Sequence, residues 1–212
     1  MKKASLGILV SGTGTNMYSI AKKCLDKELP ATVSVVISSR ENAPALEKAR
    51  SLNIPSYVVN RKHFRSQTEY EDKMIEILKA HDVDLVVLAG FLNILSSHFI
   101  DAFRWRIINV HPSLIPAFCG PGYYGMRVHR AVIEYGVKLT GVTVHFVDES
   151  VDGGPIILQR AVEVSDDDTP ETLAEKVKRV EHEVLPEAIR LIVEGQLQLV
   201  GRRVIIRGED HA

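Results

Sequence analysis

Five short apolar, β-branched runs alternate with helix-period stretches through the first half of the chain, and few folds accept that rhythm. The runs are SLGILVS (5–11), TVSVVIS (32–38), SYVVN (56–60), DLVVLAG (84–90) and RIINVH (106–111). Each is nearly continuous in apolar residues instead of alternating, the pattern of strands covered on both faces in a parallel sheet. Between them, TNMYSIAKKCLDKEL, NAPALEKARSL and SQTEYEDKMIEILKAH place apolar residues three and four apart, as amphipathic helices do. The expected fold class is therefore α/β, with a doubly wound, mostly parallel sheet. After residue 138 the strands LTGVTVHFVDES and GPIILQRAVEV are longer and are joined by a DGG turn, which predicts antiparallel strands in the C-terminal half. TPETLAEKVKRVEHEVLPEAIRLIVEG then reads as a long helix with Thr169 as N-cap, Pro170 in the first turn and Gly195 past the end; QLQLVGRRVIIRG reads as a hairpin. No repeat or linker divides the 212 residues, so one domain over 1–212 is expected.

Composition narrows the partners. Lys+Arg total 26 against Asp+Glu 27, and the net charge of −1 offers no general attraction to nucleic acid or to an anionic membrane. Any anion must be held by a local site. Two cysteines, Cys24 and Cys119, are too few for a disulfide framework or a thiolate metal site and favour a reducing compartment. The start MKKASLGILVSG is basic like a signal peptide, but its apolar stretch is short and runs into a glycine loop. No segment approaches the length of a membrane span, and a cytoplasmic location is expected.

The loop SGTGTN (11–16) joins the first strand to the first helix, where backbone N–H groups and the helix dipole favour an anion. A dinucleotide fingerprint would need a third glycine where Met17 stands and an acid closing the second strand, which instead reads ISSR. A phosphate monoester fits better than NAD. A tight turn that holds nothing fits as well.

Asn109 and His111 are two apart at the end of the fifth run, so in a strand they project to the same side. Ligands of open parallel sheets bind at that edge. An amide donor beside an imidazolium can stabilise an oxyanion at a carbonyl under attack, and a neighbouring carboxylate would keep the imidazole protonated. Asp152, in the VDGG turn, is the candidate carboxylate. Taken singly, each of the three also reads as an ordinary strand-end or turn residue. His145 is expected to be a half-exposed strand residue. A metal site from His111, His129, His145 and Asp152 lacks any recognisable ligand spacing, so no metal is expected. Nothing in the sequence shows Cys119 to be an activated thiol, and the acidic SDDDTPE is explained by a solvated loop feeding a helix N-terminus.

Several motifs in one order, ILVSGTGTN, VVLAGFLNILS, IINVHPSLIPAF, GVTVHFVDESVDGGPIILQ and VEHEVLPEAI, cover nearly all of the chain. In these it closely resembles the phosphoribosylglycinamide formyltransferases, the folate-dependent transformylases of purine synthesis. The resemblance implies a formyltransferase-type variant of the doubly wound sheet, with a nucleotide-phosphate half to about residue 100 and a folate-binding, catalytic half from about 101. It implies Asn109, His111 and Asp152 as the catalytic trio, with the ribonucleotide phosphate on Gly14, Thr15 and Asn16. A second substrate segment would be Lys178, Arg179, Val180 and Glu181, with Glu181 meeting the glycinamide end. The folate contacts would come from Gln67, from Leu92, Asn93, Ile94 and Leu95, from Asn109, and from the loop Asp148, Glu149, Ser150, Val151 and Asp152. Three features depart from the family pattern. Asn93 replaces a basic residue, Gln67 stands where Arg is common and Arg65 is nearby, and CGPGYYGMRVH is a longer loop with Arg127 where many members have His.

The implied reaction moves a formyl group from 10-formyltetrahydrofolate, a co-substrate, to the amine of glycinamide ribonucleotide through a tetrahedral intermediate. Small-molecule substrates, no nucleic acid, no membrane and a monomer or homodimer are expected. The rivals are a formyltetrahydrofolate hydrolase, which carries an extra amino-terminal domain, and a non-catalytic nucleotide-phosphate-binding module. A methionyl-tRNA formyltransferase would need a carboxyl-terminal RNA-binding domain and a basic surface.

Overall fold

The computed structural model describes residues 3–207. Met1 and Lys2 of the basic start, and Gly208 at the end of the expected hairpin, lie outside them. Seven strands form one sheet in the order β3-β2-β1-β4-β5-β6-β7, with a separate two-stranded β8-β9 ribbon. The chain forms two compact units, residues 1–109 and 110–212.

In the first unit, β1 (Ala4–Val10), β2 (Ala31–Ser38), β3 (Ser56–Val58) and β4 (Leu85–Leu88) pair in parallel, and β4 pairs in parallel with β5 (Ile107–His111). Four of the continuous apolar runs are buried as expected, with Leu6, Ile8, Leu9, Val10, Val35, Val36 and Ile37 fully buried. The third, SYVVN, is not, because β3 is an edge strand and leaves Tyr57 and Val58 each 41% exposed. The amphipathic stretches form α1 (Thr15–Leu25), α2 (Pro44–Ser51) and α3 (Gln67–Ala80), followed by the short α4 (Ser97–Ala102). A single 3-10 turn, Arg61–His63, lies between β3 and α3. Ser66 caps α3 by accepting from the Glu69 N–H, while the Glu69 carboxylate accepts from the Arg65 N–H.

In the second unit, α5 (Met126–Tyr135) precedes the antiparallel pair β6 (Leu139–Phe146) and β7 (Ile156–Glu163). The long helix α6 (Pro170–Val193) begins with a reciprocal Thr169/Thr172 capping box and has Pro170 in its first turn. The predicted hairpin is β8 (Leu197–Val200) with β9 (Arg203–Ile206). Neither α4 nor α5 is among the sequence-predicted helices. His145 corrects another expectation: it is 2% exposed instead of half-exposed. The reason is that β6 is buried on both faces from Thr140 to Phe146, so its alternate residues have no solvent side.

Candidate active site

β5 ends where the apolar run gives way to polar residues. Asn109 is half-buried there and His111 is buried. From Pro112 the chain enters a segment fixed by hydrogen bonds: Ser113 Oγ donates to the Ala117 carbonyl at 2.6 Å, and Thr143 Oγ1 donates to the Ser113 carbonyl at 2.7 Å. Thr143 Oγ1 also accepts from the Ile115 N–H at 3.1 Å. These bonds bring the Phe118 carbonyl to 2.9 Å from His111 Nε2. A carbonyl only accepts, so Nε2 carries a proton. Nδ1 faces Asp152 Oδ2 at 3.5 Å, a close ion-pair distance slightly longer than a hydrogen bond. Acceptor oxygens thus face both ring nitrogens of His111.

Asp152 reaches this position through an unusual turn. Its own φ is +54°, in the left-handed region where Asp is tolerated better than most residues. At Gly154 a Cβ would lie 1.8 Å from the Phe146 carbonyl oxygen, so only glycine lets the turn close against β6. Within the preceding loop the Ser150 N–H donates to Asp148 Oδ1 at 2.9 Å, and the Gly153 N–H to the Ser150 carbonyl at 3.1 Å. The Gly120 N–H donates to Asp152 Oδ2 at 2.9 Å. His145 Nε2 is 3.8 Å from Asp152 Oδ1, while His145 Nδ1 is 2.8 Å from the Phe146 carbonyl and so bears the ring proton. Burial pushes the His145 imidazole below its ordinary range, against the opposing pull of that carbonyl and of Asp152.

Sequence reasoning had no access to the parts played by Phe118 and Gly120, which use peptide groups. The Cys119 thiol is pushed up, first by burial and then by the Asp152 charge, so it is not an activated nucleophile. Among the described residues, no group of three or more His, Cys, Asp or Glu is arranged to hold a metal ion, and no helix is long and apolar enough to cross a membrane.

In the first unit, Gly14 takes φ +67° ahead of α1, and a Cβ there would meet Ala45 Cβ at 2.5 Å. The helix starts with no side-chain cap at Gly14. Lys48 Nζ holds the Thr13 carbonyl at 2.8 Å. A cavity of about 850 Å³ opens beside this loop, lined in part by Ser11, Gly12, Arg40, Arg61, Lys62 and Asn93. Arg40 and the Arg61–Lys62 pair follow the carboxyl ends of β2 and β3. That placement, basic residues where the strands end, was a signal available in the sequence.

The segment after β4 exposes apolar side chains, Leu92 at 43% and Ile94 at 68%, while Leu95 is buried. Asn93 Nδ2 donates to Tyr70 Oη at 2.8 Å. Gln67 is also engaged, with Oε1 accepting from Arg61 Nε at 3.0 Å and Nε2 donating to Glu71 at 2.7 Å. On α6, Lys178 pairs with Glu175, Arg179 is exposed, and Val180 and Glu181 are half-buried.

The buried His111 and the partly buried Asp152 thus meet where β5 ends. The formyl transferase family model matches residues 5–189. The chain is a formyl transferase family member. This formyl transferase is 36% identical to the phosphoribosylglycinamide formyltransferase of Haemophilus influenzae, over 99% of the chain and 95% of that protein. It is 39% identical to the human trifunctional purine biosynthetic protein adenosine-3 over 93% of its own length, but spans only 19% of that larger protein. The crystal structure of glycinamide ribonucleotide transformylase 1 from Symbiobacterium toebii superposes with a TM-score of 0.92 at 43% identity, covering 97% of this chain and 94% of that one.

Proposed function

We propose that the chain transfers the formyl group of 10-formyltetrahydrofolate to the amine of 5-phosphoribosylglycinamide, giving N-formylglycinamide ribonucleotide and tetrahydrofolate, a step of de novo purine (IMP) synthesis. The observation that carries this reading is the pairing of the buried His111 with the partly buried Asp152, 3.5 Å apart, at the end of the strand that also presents Asn109. In the proposal the neutral amine attacks the formyl carbon, and the new C–N bond forms as the carbonyl electron pair moves to oxygen. Asn109 and the His111 imidazolium meet that negative charge. As the C=O bond re-forms and the old C–N bond breaks, the His111 imidazolium gives its proton to the departing folate nitrogen, and the proton lost by the amine, accepted through the Asp152 carboxylate, restores it. To give its Nε2 hydrogen bond to the oxyanion, His111 must share or release the Phe118 carbonyl.

The remaining assignments follow the same reading. The uncapped start of α1 suits the ribonucleotide phosphate at Gly14, Thr15 and Asn16, with Lys178 to Glu181 as the second substrate segment. The exposed Leu92 and Ile94 side chains suit a flat aromatic ring system and support a folate co-substrate at Leu92 to Leu95, with Asp148 to Asp152 contributing to the same ligand. The 212 residues act as one formyltransferase domain, monomeric or homodimeric, on small molecules in the cytoplasm. No metal is assigned, because Asn109 and His111 supply the charge stabilisation. Incubation with 10-formyltetrahydrofolate, with and without glycinamide ribonucleotide, tests the proposal. Tetrahydrofolate release that requires the amine supports transfer, release without it indicates a hydrolase, and no release indicates a non-catalytic module.

A further inference from the structure

Glu71 is a fully buried carboxylate that the reaction does not use. A charge out of water is costly unless its oxygens are well bonded, and a purely structural position on the apolar face of α3 would be filled more cheaply by leucine or methionine. Its donors are all neutral: Gln67 Nε2 at 2.7 Å, the Ser96 N–H at 2.7 Å and the Ser96 hydroxyl. Ser96 is the N-cap residue of α4, yet its hydroxyl makes no capping bond and is given to Glu71. Gln67 Nε2 also reaches the Ile94 carbonyl at 3.3 Å, and Tyr70, one position before Glu71, accepts from Asn93. Residues 67, 70 and 71 share one face of α3 at helical spacing, and together they hold positions 93, 94 and 96. The side chain of Ile94 nevertheless stays 68% exposed. The backbone of this segment is thus held from beneath while its apolar side chains stay available.

We propose that Glu71 is a positioning residue that keeps Leu92–Leu95 in its ligand-binding conformation, so that folate binding does not have to order that segment. This rests on the proposed folate reading of the segment. Removing Glu71 transfers the ordering cost to the binding step; if it amounts to one or two backbone residues, folate affinity falls about tenfold or more.

The test compares wild type, E71A and S96A in two measurements. Steady-state kinetics should show KM for 10-formyltetrahydrofolate raised about tenfold in E71A and less in S96A. KM for glycinamide ribonucleotide and kcat should stay within about twofold in both, since uniform binding alone is lost. Amide hydrogen exchange of the ligand-free proteins should show faster exchange across 92–96 in both variants, with 11–16 unchanged. Equal rises in both KM values, or unchanged exchange at 92–96, overturn the proposal. If E71A does not fold, S96A carries both readouts. If wild type shows no folate-dependent turnover, the folate reading fails, while the exchange data still decide whether Glu71 orders the segment.

Discussion

One methyl group at Gly154 is expected to disable the site without touching any of its reacting groups. In G154A the new carbon would sit 1.8 Å from the Phe146 carbonyl oxygen and 2.8 Å from its carbonyl carbon, where real Cβ atoms do not approach closer than 3.0 Å. Both obstacles are backbone, so no side chain can swing aside, and the turn must retreat by about 1 Å to restore contact. Asp152 lies two residues away on that turn, and its separation of 3.5 Å from His111 Nδ1 and 2.9 Å from the Gly120 N–H leaves little room for such a shift. A misplacement of about 1 Å in a catalytic group costs about a hundredfold in rate. Overpacking of this kind also destabilises by about 1–3 kcal/mol. The assay is the initial rate of tetrahydrofolate release at a temperature where circular dichroism shows the variant still folded. A folded G154A with wild-type turnover would refute the claim that this turn sets the catalytic geometry.

Two other expectations follow from the titratable groups. Burial, and then the neighbouring His111, push His129 below its ordinary range, and burial does the same to His145. The unfolded chain therefore binds more protons below about pH 6.5, and stability that is complete above that pH is lost as pH falls toward the folded-state values. The melting temperature should drop between pH 7 and pH 5 and H129L should reduce the drop; a midpoint that rises on acidification contradicts this. The thiols should be unreactive: Cys24 is pushed up to about 11 by burial, and Cys119 is raised by burial and by Asp152. Alkylation by iodoacetamide at neutral pH should be slower at both than at a free cysteine, and rapid labelling of Cys119 would contradict the placement of its loop against Asp152.

The sheet was legible because parallel strands covered on both faces leave continuous apolar runs, as ILVS and VVIS do, and because Thr169, Pro170 and Gly195 mark their helix chemically. The helices α4 and α5 were not, since one is six residues long and the other follows a glycine-rich loop. For the site, the spacing of Asn109 and His111 was enough to put them together, because strand geometry alone fixes residues two apart. Asp152 could be named from the VDGG turn, but its placement against His111 depends on a positive φ at its own position, which a pattern of residue types does not encode. The peptide groups of Phe118 and Gly120 left no trace, since every residue carries the same atoms. Glu71 did leave one: a carboxylate among Tyr70, Met74 and Leu78 on the buried side of an amphipathic helix is out of place unless something donates to it.

In the proposed reaction His111, held between the Asp152 carboxylate and the Phe118 carbonyl, stabilises the oxyanion and carries the proton during formyl transfer. The most direct measurement is the rate of amine-dependent tetrahydrofolate release by H111A beside wild type, at saturating concentrations of both substrates. H111A should lose about two to four orders of magnitude in kcat while still binding the ribonucleotide. Turnover by H111A within a few-fold of wild type would remove the imidazole from the mechanism.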